Sequence, residues 1–219
     1  IKYLILFGLL FIVNTIHSQT INLNENYVIN DLRISQIKGD LKSNFSFTLQ
    51  PIHLGENGIN LDSLNSEIYY KIFNLYSKNN IKVDLLPINY NFEYSSHHPY
   101  NRNNGSLIPN RGYQHIISPG FFSKLGPLSI QLKPEFLYSE NKSYEGFWDG
   151  HYPEIWAQKY NVWNHMDTPE RFGDSDYKKV LLGQSSIRLN FNKLSIGLST
   201  ENLWWGPSIR NSIMMSNHA

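Results

Sequence analysis

The sequence predicts a mainly β protein: an antiparallel transmembrane β-barrel of the outer-membrane type, incomplete in this chain, with a small periplasmic α-helical element near the N-terminus. Three observations lead there. An export signal opens the chain, runs of alternating apolar and polar residues fill its second half, and the connections between those runs are alternately long and short.

Residues 1–18 read as a cleaved signal peptide. Lys2 is the positive flank, Tyr3 to Val13 is unbroken apolar sequence, and Ser18 before Gln19 is small enough for a signal peptidase. The apolar run is short against the roughly 20 residues that a membrane-spanning helix needs. The chain starts at Ile1 rather than Met and stops at Ala219 in loop-like sequence, so a piece of a longer protein is expected.

Composition bounds the function classes. The 219 residues carry a net charge of +1, which leaves no electrostatic footprint for nucleic acid. There is no cysteine, which excludes disulfides and thiolate metal sites. Aromatic residues make up 14%, more than a simple core explains.

Residues 19–81 read as a periplasmic segment with two helices and one strand. Val28, Leu32 and Ile37 give loose helical spacing over Tyr27 to Leu41, with Gly39 as a stop. Asp62 can cap a second helix to Ser77, whose stripe is Leu64, Ile68, Ile72 and Leu75. Between them Phe45, Phe47 and Leu49 alternate with Ser46, Thr48 and Gln50, as a strand would.

Residues 82–219 read as the first strands and loops of the barrel. Ile88, Tyr90, Phe92 and Tyr94 share one parity; so do Leu128, Ile130 and Leu132, and then Phe136 and Tyr138. Ile187, Leu189 and Phe191, then Leu194, Ile196 and Leu198, make a hairpin around Asn192-Lys193. Pairing Phe191 with Leu194 puts Leu189 opposite Ile196 and Ile187 opposite Leu198, while Ser186 meets Ser199 on the polar face. A slip of one residue would put both sets on the wrong sides. Arg188, Lys133, Glu135 and Glu201 then face inward. The pattern alone fits a sandwich or a barrel. Long connections at Ser96–Arg111 and Ser139–Lys178, against short ones at Lys124–Gly126 and Asn192-Lys193, favour the barrel.

The candidate chemistry is binding rather than catalysis. The 139–178 loop interleaves Phe147, Trp148, Trp156, Tyr160 and Trp163 with Glu145, Asp149 and Glu154. Flat rings beside carboxylates suit sugars, although aromatics also pack loops. Asp174-Ser175-Asp176 lacks the rest of a calcium loop, and His97-His98 matches no zinc spacing. No Ser/His/Asp or HExxH setting stands out, so no enzyme, cofactor or metal is expected. Five residues are the expected polysaccharide contacts: Trp148, Trp156, Trp204, Trp205 and Arg210. Adjacent Trp204 and Trp205 cannot face one side of a strand, and Gly206-Pro207 turns the chain away.

The stretch from Glu201 to Asn217, with Trp204-Trp205-Gly206-Pro207 at its centre, resembles the capsule assembly protein Wzi family in the form found in Bacteroidota-like bacteria. Ser96-His97-His98-Pro99-Tyr100, Leu107–Gly112 and Leu125–Glu135 match it as well. The resemblance implies a non-catalytic barrel in the outer membrane of a Gram-negative bacterium, with an α-helical element at its periplasmic end; a monomer surrounded by outer-membrane lipid is expected. It would bind capsular or exopolysaccharide and help attach or assemble it at the cell surface. A porin-like or polysaccharide-export channel is the alternative.

Overall fold

The computed structural model describes residues 19–21, 23–41, 45–54, 72–99, 104–166, 171–191 and 194–217. The expected signal segment 1–18, residues 62–71 of the expected second helix and the expected Asn192-Lys193 turn lie outside them.

A small N-terminal unit comes first. Strand β1 (Gln19–Ile21) leads through a short 3₁₀ turn into helix α1 (Asn26–Lys38). Val28, Ile29, Leu32 and Ser35 fall on one side of α1 and are buried. The helix ends at Gly39, whose N–H bonds Gln36 O at 3.1 Å while Asp40 N bonds Ser35 O at 3.0 Å. Strands β2 (Leu49–Gln50) and β3 (Ile52–Leu54) follow, and β3 pairs antiparallel with β1. Ile21, Val28, Leu32, Phe47, Ile52 and Leu54 close a core of their own. The strand expected from Phe45 is thus shorter than its alternation. Phe45 instead packs edge-on against Phe47, with ring centroids 5.8 Å apart.

The remainder is an antiparallel meander. Its strands are β4 (Phe73–Lys78), β5 (Ile81–Ser95), β6 (Gly112–Leu125), β7 (Leu128–Leu132), β8 (Glu135–Ser139), β9 (Tyr177–Leu181), β10 (Ser186–Phe191) and β11 (Leu194–Ser199). They form an eight-stranded sheet of order β11-β10-β7-β6-β5-β4, with β8 pairing β6 and β9. Pro134, which has no N–H to give a ladder, separates β7 from β8. Lys133 backs that break, its N–H bonding Ser185 Oγ at 2.9 Å and its carbonyl accepting from Gln184 N at 3.0 Å. The β10–β11 register pairs Phe191 with Leu194, Leu189 with Ile196 and Ile187 with Leu198, as the alternation requires.

The faces of this sheet are inverted relative to a globular core. Gln131, Lys133, Glu135 and Gln184 are buried on the inner face. On the outer face, large apolar side chains stay exposed, from 41% at Ile81 and Leu85 to 79% at Leu198.

Three expectations are corrected here. Among the described residues the fold is an open antiparallel sheet with helical segments rather than a closed transmembrane barrel. Among the described residues β4 and β11 end the path of the sheet, and β9 pairs with β8 alone. At the described end of the expected second helix, residues 73–77 fall in strand Phe73–Lys78, because pairing with Ile81–Leu85 across the Asn79-Asn80 turn outweighs helical spacing. The long 139–178 loop contains helix α2 (Pro153–Met166).

Candidate functional site

The 140–176 connection is anchored to the sheet through one asparagine. Asn141 is 2% exposed, and its side-chain amide lies 2.9 to 3.0 Å from the carbonyls of Phe172, Gly173 and Ser175. Its own N–H bonds Asn110 Oδ1 at 2.6 Å, and its carbonyl accepts from Arg171 Nη2 at 2.8 Å. Both ends of the connection are therefore held to one point.

Helix α2 starts at Pro153, a residue suited to the first helical turn. Trp156, Tyr160 and Trp163 recur at helical spacing and touch in sequence. Trp156 stacks on Tyr160 at 5.5 Å, and Tyr160 meets Trp163 edge-on at 5.7 Å. Phe147 comes in from the preceding loop, edge-on to Trp156 at 4.9 Å. The Lys159 ammonium sits among these rings, 3.9 Å from the Phe147 centroid, 4.0 Å from Trp163 and 5.4 Å from Trp156. Trp148 lies back over Gly150, where a Cβ would come within 2.3 Å of its ring. Beside this cluster opens a cleft of about 510 Å³ lined by Tyr144, Glu145, Phe147, Trp148, Asp149, Trp156 and Arg171. Arg171 is paired with Asp174 at 2.9 Å.

A second constellation is the polar seam between the N-terminal unit and the inner face of the sheet. Lys133 pairs with Glu25, and both side chains are almost wholly buried. Thr20 N bonds Gln131 Oε1 at 3.1 Å, and Gln131 Nε2 bonds Thr20 Oγ1 at 2.8 Å. Glu201 accepts from the Thr20 hydroxyl and from Arg188. Arg188 Nη1 is 3.4 Å from His53 Nε2. Burial holds the His53 pKa below its ordinary value, Arg188 lowers it further, and Glu201 opposes both. These bonds dock the unit; they present no open cavity chemistry.

The five residues expected to act together are split. Trp148 and Trp156 line the 144–171 cleft. Trp204, 4% exposed, packs on the N-terminal unit instead. It borders a small cavity with Leu23, Ile29 and Arg33, and its indole N–H bonds Ser208 O at 3.0 Å. Strand β12 (Trp204–Trp205) pairs with β2, which explains the opposite orientations of the two rings. Gly206 has φ +153°, and a Cβ there would lie 2.9 Å from Ile213 N. Trp205 and Arg210 lie on the exposed side of this segment. Sequence reasoning missed Lys159 and Arg171, although the 156/160/163 spacing behind Pro153 was a helix signal. Among the described residues, no group of three or more His, Asp or Glu converges as metal ligands would.

No family model matches the chain, and no curated protein or solved structure is similar to it. The resemblance to the capsule assembly protein Wzi family is corrected accordingly: the tryptophan segment that carried it is accounted for by packing on the N-terminal unit. The expectations that rested on that family and on a closed barrel are withdrawn with it. They are the capsular or exopolysaccharide partner, the surrounding outer-membrane lipid, the export-channel alternative and the outer-membrane location.

Proposed function

We propose that this chain is a non-catalytic binding protein whose recognition site is the 144–171 cleft and whose ligand carries an organic cation. The observation that supports this is the Lys159 ammonium held 3.9 and 4.0 Å from two ring centroids: the cluster already draws a cation. Aromatic faces attract cations through their quadrupole. The adjoining cleft offers further ring surface from Tyr144, Trp148 and Trp156, with the Glu145 and Asp149 carboxylates at its border. Arg171 and Lys159 are the opposing charges there; Asp174 pairs with Arg171, and the Phe147 and Trp163 rings hold Lys159.

Exposed cation–π contacts are worth about 0.5–1 kcal/mol each, rising to about 2 when desolvated. Two or three rings with a carboxylate give roughly 4 kcal/mol, a dissociation constant on the order of 1 mM. The test is a tryptophan-fluorescence titration with choline, set against its neutral isostere 3,3-dimethylbutanol. Saturable quenching by choline alone, lost in Trp148→Ala, is the expected result. Equal binding of the neutral isostere would refute the reading.

A further inference from the structure

We infer that the edge of β11 left unpaired among the described residues is a strand-addition site. Its partner is an extended polypeptide segment that is uncharged at the paired positions and alternates large apolar with small polar side chains. Thr200 N bonds Ser185 O at 2.9 Å, which fixes the hydrogen-bonding parity of the hairpin. Residues 194, 196 and 198 thus exchange bonds with β10, and the N–H and C=O groups of Ser195, Gly197 and Ser199 point away from it. All six residues of β11 are exposed.

The two ends of the sheet's path, β4 and β11, differ in kind. β4 carries a register irregularity between Asn74 and Tyr76 and ends on Lys78, both recognised ways of discouraging edge pairing. β11 has no proline, no charge and an unbroken register. Its side chains also specify the newcomer. On the outer face the rows Leu198–Ile187–Ile130 and Ile196–Leu189–Leu128 run unbroken to the edge. On the inner face Ser199–Ser186–Gln131 and Ser195–Asn190 do the same with polar groups. A strand that continues both rows must alternate as β11 does, and a charge opposite β11 would have no counter-charge. Binding of this kind draws affinity from main-chain bonds and selectivity from alternate side chains.

The test uses a short acetylated peptide alternating isoleucine and serine, with lysines only at its ends, and amide hydrogen exchange followed by NMR. The Ser195, Gly197 and Ser199 amides should exchange roughly tenfold or more slowly in its presence, with no change at Leu194, Ile196 and Leu198. Ser195→Pro should abolish the effect while those three inner amides stay protected. If that variant loses the β10–β11 hairpin, Ser199→Pro repeats the test at the other end. Unchanged exchange at saturating peptide would overturn the proposal. So would equal protection by a peptide with lysine at the apolar positions. Protection without peptide, together with a doubled mass in solution, would assign the edge to a second copy of the chain and overturn the stated partner.

Discussion

Lys133 and Glu25 form the ion pair on which docking of the N-terminal unit can be tested most directly. Their side chains are 1% and 0% exposed, and Asn89 Nδ2 also reaches Glu25 at 3.3 Å. Replacing Lys133 by Met keeps much of the volume and removes the charge, which leaves a buried carboxylate beside an apolar chain. Breaking a buried pair from one side costs about 3–5 kcal/mol, a large share of the roughly 5–15 kcal/mol that holds a domain folded. With a urea dependence of about 2 kcal/mol per molar, the unfolding midpoint should fall by roughly 2 M. Glu25→Gln should cost a similar amount, because it strands the ammonium. The double variant should cost less than either single change, since neither charge is then left alone. The assay is urea unfolding followed by tryptophan fluorescence. A Lys133→Met cost under about 1 kcal/mol, or a double variant equal to the sum of the singles, would refute the argument.

Leu32 is fully buried in the N-terminal core, so Leu32→Ala should cost about 2–5 kcal/mol by thermal or urea unfolding. Ile37, 86% exposed on the same helix, should change stability by less than about 0.5 kcal/mol on replacement by Ala. His53 has a native pKa below its ordinary 6.5, so the unfolded chain binds the extra proton. Its stabilising contribution is complete above that value and is lost as pH falls through it toward the lowered native pKa. Unfolding midpoints measured across this window should fall in the parent and flatten in His53→Gln. Gly150→Val would drive a side chain into the Trp148 ring and should displace it, abolishing choline quenching while leaving the unfolding free energy within about 0.5 kcal/mol.

The legible parts of this fold are those where period and turn geometry agree. The β10–β11 register follows from the sequence because any slip mixes Leu189 and Ile196 with serines. The burial of Lys133, Glu135 and Glu201 on the inner face follows from the same parity. The sequence did not disclose which residues they would meet there. Thr20 lies 111 residues from Gln131 and 181 from Glu201, and such pairings leave no local period. β4 was hidden because Ile72 and Leu75 extend a helical stripe, although Asn79-Asn80 before Ile81 was a usable hairpin signal. The binding cleft was half visible. Its rings could be named, but the helix that stacks Trp156, Tyr160 and Trp163 around Lys159 was read as loop, because polar residues surround them. The separation of Trp204 from Trp148 depended on β12 pairing with β2, a contact no local pattern specifies.

The inverted faces of the sheet set its thermal behaviour. The heat-capacity increase on unfolding, typically about 12–15 cal/mol/K per residue, comes from apolar surface newly wetted and is reduced by polar surface newly wetted. In this sheet the outer apolar rows are already exposed when folded, and unfolding would newly hydrate Gln131, Lys133, Glu135 and Gln184 beside a smaller apolar set, Phe122, Ile116 and Leu137. Both effects act in one direction. The increment per residue should fall below that range, and the curve of stability against temperature should be flat. Gentle cooling would then weaken the sheet little, because the fading of the hydrophobic drive in the cold has little to act on.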